Sequence, residues 1–297
     1  MTSTKQTWLI TGCSSGLGEA ITYAALRRGD NVIATARNGV QRLQALKEAG
    51  AATLDLDIQA PQAELDFIIK EALKIYGGID VLVNNAAYCE VGVLEELSHE
   101  RLVSAFHTNF FGAVNLTRSL LPHLRSKQSG SLVYLGSMGA YIGEYASVPY
   151  ISTKGALESF IECVSMDVSP FNIKCMLAIL GEFRTNIYSD TKVAFAPTTI
   201  DDYAGIQAAV KDGLKKAHQA QPGDPEKAAE RLVDVVKGQG GAEGRPMPKR
   251  LVIGADAFQV IRNKCQMMLK VCDEWEEFGT NTNYDGVVGG GFVGSVS

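Results

Sequence analysis

The stretch TWLITGCSSGLGEA, residues 7–20, admits two readings. As Gly12-Cys13-Ser14-Ser15-Gly16 it has the spacing of a hydrolase nucleophile elbow, which holds a serine on a sharp turn between strand and helix. As Thr11-Gly12 with Gly16 and Gly18 it is a glycine-rich turn at a helix start. There, free backbone N–H groups and the positive end of the helix dipole attract a dinucleotide phosphate. Glycines alone do not separate the two, and a purely structural tight turn fits them equally well.

The surroundings disfavour the hydrolase. Only 11 residues precede Gly12, too few for the strands and oxyanion loop expected upstream of such an elbow, and His218 is the only late histidine. Apolar, β-branched runs instead alternate with amphipathic stretches, as in βαβ units around a parallel sheet. Strands are expected at 7–11, 31–36, 51–56, 79–84, 131–136, 173–179 and 249–254. Several are apolar throughout, which suits strands covered on both faces.

Helix ends are marked by Arg27-Arg28-Gly29, by Pro61, by Ser98 as an N-cap and by Asp224-Pro225. The helix after Ser98 is expected to run to about Arg125, broken or bent at Gly112 and Pro122. The fold expected is α/β: a doubly wound Rossmann arrangement with a seven-stranded parallel sheet flanked by helices, plus a helical C-terminal extension. One catalytic domain covers 1–278, with an aperiodic, substrate-covering excursion over about 183–222 and a C-terminal helix over 256–278. The glycine-rich end, 279–297, reads as a flexible tail.

The 297 residues are 46% hydrophobic and 21% charged with a net charge of −5, ample for a large core and without the basic patch that nucleic acid requires. No run reaches the length of a membrane span, no signal peptide is evident, and the six scattered cysteines form no disulfide or metal pattern. A cytoplasmic protein with reduced thiols and no metal site is expected.

Tyr150 and Lys154 stand four apart, which places them on one face of a helix. An ammonium beside a phenol lowers the phenol's pKa toward the range of an acid/base catalyst. Ser137 falls at the end of the strand over 131–136, the sheet edge where open α/β folds bind ligands. Isolated Y-x-x-x-K pairs are usually plain helix surface, and the nearby serine is what raises this one.

Taken in order, these residues resemble the short-chain dehydrogenase/reductase family of NAD(P)-dependent oxidoreductases, and the GDPEKAAE helix at 223–230 with the later strand is more loosely similar to its hydroxysteroid-dehydrogenase-like branch. The matches span roughly residues 7–190. Thr11, Gly12, Gly16 and Gly18 match the cofactor turn, whose intervening Ser14, Ser15 and Leu17 are included in the expected cradle. Asp57 matches an adenine contact, Asn84-Asn85-Ala86 a segment beside the cofactor, and Thr185 a nicotinamide contact. Asn109, Ser137, Tyr150 and Lys154 match the catalytic tetrad. The resemblance implies that Tyr150 delivers the proton, Ser137 holds the carbonyl oxygen, Lys154 lowers the Tyr150 pKa and holds the nicotinamide ribose, and Asn109 supports a proton-supplying water chain. Tyr150 and Lys154 thus also count as cofactor contacts. It further admits a homo-oligomer built through the helices bearing Asn109 and Tyr150. Two positions depart from the pattern: Leu180 replaces a proline before Gly181, and Ala87 replaces a glycine.

Cofactor choice follows from charge. An acid at the end of the second strand would pair with the NAD ribose, but this end reads Thr35-Ala36-Arg37, and a guanidinium suits a 2′-phosphate. NADP(H) is expected, the alternative being that Arg37 is a plain surface cation. Met138, Tyr145, Phe183 and Tyr188, with Tyr141, Phe195 and Tyr203, suggest an apolar pocket for a bulky hydrophobic ketone or alcohol; ordinary core packing explains them equally well. The competing function is a non-redox relative that uses the same pocket for cyclisation or ligand sensing.

Overall fold

In the computed structural model, which describes residues 5–280 and 282–284, the chain forms nine strands. They are β1 (Thr7–Ile10), β2 (Asn31–Ala36), β3 (Ala52–Asp55), β4 (Val81–Asn84), β5 (Cys89–Val91), β6 (Gly130–Leu135), β7 (Ile173–Leu180), β8 (Val193–Phe195) and β9 (Arg250–Ile253). Seven make one sheet in the order β3-β2-β1-β4-β6-β7-β9, parallel throughout. The strand order reverses between β1 and β4, which opens a crevice beyond their C-terminal ends.

The connecting helices are α1 (Gly16–Arg27), α2 (Gly39–Arg42), α3 (Gln44–Glu48), α4 (Gln62–Tyr76), α5 (His99–Phe106), α6 (Gly112–Lys127), α7 (Val148–Val168), α8 (Asp201–Ala217), α9 (Pro225–Lys237) and α10 (Ala255–Thr280). Alternation along each strand divides the core in two. In β1, Trp8 and Ile10 face a cluster with Ile21 of α1 and Leu232 of α9. Leu9 faces the opposite cluster, with Ile69 of α4, Leu116 of α6 and Leu157 of α7. Strands apolar on both faces are thereby explained by helices on both faces.

A buried ion pair closes the first layer. Lys237 Nζ donates to both Asp30 oxygens at 2.6 and 2.7 Å, while Trp8 Nε1 donates to Asp30 Oδ2 at 2.9 Å. Ser98 caps α5 by accepting from the Arg101 N–H, and Asp224 caps α9 by accepting from Glu226 and Lys227.

The segment after Ser98 differs from expectation. A π-helical turn, His107–Phe111, joins α5 to α6, and α6 passes through Pro122 without ending. Pro122 lies on the exposed face, so the buried stripe of Leu116, Leu120 and Leu124 continues past it. Gly112 marks a close approach rather than a break: a Cβ there would lie 2.9 Å from the Ile58 carbonyl oxygen. The excursion is also more ordered than an aperiodic loop. It contains α8, and its β8 pairs in parallel with β5. The C-terminal helix extends to Thr280, and most of the expected tail lies outside the described residues.

Candidate active site and cofactor cleft

The glycine turn is built to leave room above it. Gly12 and Gly16 take positive φ values of 69° and 65°, the left-handed region that favours glycine. A Cβ on Gly16 would stand 3.1 Å from Thr185 Cβ. One on Gly18 would lie 2.5 Å from Asn85 Nδ2 and 2.6 Å from the Gly12 oxygen, so the third glycine lets the helix sit against its own turn. Thr11 Oγ1 accepts from the N–H groups of Asn85 at 2.9 Å and Ala86 at 3.0 Å. Asn85 Nδ2 donates back to the Thr11 carbonyl at 2.7 Å, fastening the segment after β4 to the turn after β1. Cys13 is turned into the core, where burial pushes its thiol up to about 12.

This turn forms one wall of a cavity of about 790 Å³. Ser14, Ser15, Leu17, Arg37, Asp57, Ala86 and Thr185 line it with Thr11, Gly12 and Gly16, and so do Ser137, Tyr150 and Lys154. Thus the phosphate-type turn and the Tyr-Lys pair, far apart in sequence, open into the same space. No histidine lines it, so Ser14 has no base there and the nucleophile-elbow reading fails. Gly18 stands behind the turn. Asn84 does too: it alternates with Val83 toward α6, where its Nδ2 donates to Thr117 Oγ1 at 3.4 Å, and Asn85 is the asparagine that reaches the cavity.

Ser137 and Tyr150 meet because β6 ends just before Ser137 and α7 starts just before Tyr150. Ser137 Oγ accepts from the Gly139 N–H at 3.0 Å, which fixes its turn. Lys154 Nζ donates to the Leu135 carbonyl at 2.7 Å and lies 5.7 Å from the Tyr150 ring centroid. Burial bears on both members of the Tyr150–Lys154 pair. Burial holds the Tyr150 phenol well above its usual range, with Cys89 adding to this and the Ser137 hydroxyl opposing it. Burial also lowers the Lys154 ammonium to about 8. Desolvation of both groups outweighs what their sequence spacing suggests.

Asn109 lies within the π-helical turn but does not line the cavity. Its Oδ1 accepts from the Tyr88 N–H at 3.1 Å and its Nδ2 donates to the Tyr88 carbonyl at 3.0 Å. Asn109 therefore clamps the chain entering β5.

On the remaining wall stand Met138, Phe183 and Tyr188, with Tyr88, Glu144 and Glu182. Tyr145 is outside this wall, 76% exposed, and Tyr141, Phe195 and Tyr203 do not line it either. The wall is not uniformly apolar: Tyr188 Oη donates to Glu182 Oε1 at 3.0 Å. Burial and the Glu182 charge raise the Glu144 carboxyl above the usual range. Where the proline is absent, the turn is pinned from α10. Asp256 Oδ2 accepts from the Glu182 N–H at 2.7 Å, and its carboxylate fills the space a Cβ on Gly181 would need. The sequence names Asn85 only as part of the segment Asn84-Asn85-Ala86, and strand parity is what separates it from Asn84; nothing local points to Glu182 or Asp256.

A doubly wound parallel sheet, a glycine turn at its switch point and a Ser-Tyr-Lys group at the same edge define a dinucleotide-type α/β protein. The family model for short chain dehydrogenase matches residues 6–212, and the chain belongs to that family of oxidoreductases. It is 30% identical over 273 residues to oxidoreductase BOA17 of Botryotinia fuckeliana, covering 91% of this chain and 96% of that one. It is 32% identical over 209 residues to human retinol dehydrogenase 8, 67% of each chain. A short-chain dehydrogenase structure from Streptomyces avermitilis superposes with a TM-score of 0.83 at 33% identity, over 95% of this chain and 100% of that one. Among the described residues no helix is long and apolar enough to cross a membrane.

Proposed function

We propose that the protein is an NADP(H)-dependent oxidoreductase that interconverts a carbonyl and an alcohol on a bulky small molecule, with Tyr150 as the acid/base. The observation that carries this reading is the single cavity shared by the glycine turn and by Ser137, Tyr150 and Lys154. The residues fit such a cofactor: Gly12 and Gly16 take positive φ and sit where a Cβ would crowd Ala86 and Thr185, and Arg37 and Arg42 line the same cavity.

In this reading Gly12, Ser14, Ser15, Gly16 and Leu17 hold the pyrophosphate, Arg37 the 2′-phosphate, Asp57 and Ala86 the adenosine side, and Thr185 the nicotinamide side. When bound, the nicotinamide supplies hydride. Ser137 Oγ holds the substrate oxygen as negative charge develops there. Tyr150 Oη donates the proton, and its raised pKa keeps that proton in place until the oxygen becomes basic. Lys154 Nζ, held by Leu135, places a positive charge beside the phenolate that remains. Asn109 acts as a positioning residue through Tyr88. Met138, Phe183 and Tyr188 support a largely apolar substrate, and Glu182 adds a site for a hydrogen-bond donor on it. A cytoplasmic setting belongs to the same proposal, supported by six free cysteines.

The test is NADPH oxidation with a panel of bulky ketones. Turnover that disappears in Tyr150→Phe while NADPH still binds is the expected result. Unchanged turnover in that variant removes Tyr150 from the chemistry.

A further inference from the structure

Three cations from two separate parts of the chain line the same cavity. Arg37 follows β2 and Arg42 ends α2. Lys192 belongs to the excursion, immediately before β8, and lines the same cavity. The excursion segment is not a loose loop at this point. The Lys192 carbonyl accepts from the Cys89 N–H at 2.9 Å, and the Lys192 N–H donates to the Ser189 carbonyl at 2.9 Å. The β5–β8 pairing that follows holds the segment against the chain leaving β4.

Among the described residues, none of the three side chains has an ion-pair partner. The Arg42 guanidinium donates to the Arg37 carbonyl at 3.5 Å. Lys192 is half-buried, and burial together with the Arg42 and Arg37 charges depresses its ammonium. Asp57 of the cavity wall accepts from the Gln59 N–H on its own loop at 2.9 Å, and Asp55, in register with Ala36, accepts from the Gly39 N–H at 3.3 Å. Like charges that line one cavity repel one another, and a bound anion offsets that repulsion.

We infer that Lys192 is a third cation of the 2′-phosphate site, reaching it from the excursion, so that this segment closes over the adenosine end of NADP(H). The inference rests on the NADP(H) reading above and extends it: the element expected to cover substrate also senses which cofactor is bound. A phosphomonoester dianion between Arg37, Arg42 and Lys192 forms charge-assisted hydrogen bonds on both sides of the cleft. NAD(H), lacking that phosphate, leaves Lys192 without its partner.

Calorimetric titration with adenosine 2′,5′-bisphosphate and with 5′-AMP separates the 2′-phosphate from the phosphate common to both cofactors. In the parent protein the bisphosphate binds more tightly. Lys192→Gln is expected to weaken bisphosphate binding about tenfold while changing 5′-AMP binding less than about twofold, and Lys192→Arg to restore most of the loss. A matching Tm and circular dichroism spectrum establish that the variants fold. Tryptic cleavage after Lys192 gives a second readout: the bisphosphate slows it and 5′-AMP does not. If the parent discriminates but Lys192→Gln binds the bisphosphate as well as the parent does, Lys192 is not in the site. Equal weakening toward both ligands places Lys192 at the shared phosphate and overturns the assignment. If the parent itself does not discriminate, the NADP(H) reading falls and this inference falls with it.

Discussion

Lys154 donates its ammonium proton to the Leu135 carbonyl at 2.7 Å, an anchor that ties the middle of the α7 catalytic face to the end of β6. The bond fixes the ammonium but does not replace its lost hydration, and the pKa drops from 10.5 to about 8. Between those values the unfolded chain binds more protons than the folded one, so stability rises with pH there. The burial cost is fully present below about pH 8 and is relieved toward pH 10.5. Lys154→Met is therefore expected to stabilise the fold by about 1–3 kcal/mol at neutral pH while abolishing turnover. Thermal unfolding of both proteins across this range checks the sign: the gap in Tm narrows as pH rises. A gap that widens contradicts the buried-ammonium assignment.

Arg37 is exposed at the mouth of the cleft, so its removal should leave folding intact. Arg37→Gln is expected to raise the Kd for NADPH about tenfold or more and to leave that for NADH nearly unchanged. Fluorescence titration with both cofactors measures the ratio, and equal losses would rule out a 2′-phosphate contact.

Gly18 is constrained by packing and Gly155 is not. A Cβ at Gly18 meets Asn85 Nδ2 at 2.5 Å, whereas one at Gly155 meets nothing within 4 Å. Gly18→Ala should cost about 1–3 kcal/mol and weaken cofactor binding as the turn shifts. Gly155→Ala in α7 should raise stability by up to about 1 kcal/mol. Chemical denaturation distinguishes them, and a neutral Gly18→Ala would show that the turn tolerates a side chain.

Asp30 and Lys237 are 0% and 2% exposed at their side chains, and removing one partner strands the other charge in the core. Asp30→Ala is expected to cost about 3–5 kcal/mol. Adding Lys237→Met should recover part of that loss, because the stranded charge is gone. A double variant less stable than the sum of the two single losses would contradict this coupling.

Local pattern carried much of the fold. The alternating apolar runs locate the seven strands of the main sheet because both faces are buried, and the Tyr150–Lys154 spacing places both residues on one helix face. What stayed hidden depends on contacts distant in sequence. The β5–β8 ribbon joins Cys89–Val91 to Val193–Phe195, three residues each, too short to show a period. Through that pairing Lys192 reaches the cleft. Asn84 and Asn85 are separated by strand parity: Asn84 shares the Leu82 face toward α6, and Asn85, past the strand end, turns to the glycine loop. The burial of Tyr150 and Lys154 is likewise not legible in their spacing, because spacing reports proximity and not desolvation. Asp256 pins the turn after Leu180 by accepting from the N–H of Glu182, 74 residues before it, which no local motif announces.

The most direct test is isotopic. NADPH carrying deuterium at nicotinamide C4 is incubated with the protein and a bulky ketone, and the product alcohol is analysed by mass spectrometry. Deuterium on the carbinol carbon from one face of the nicotinamide, absent with Tyr150→Phe, is the expected result. Tight NADPH binding with no transfer to any ketone in the panel would contradict a redox role and favour a protein that uses this cleft for another purpose.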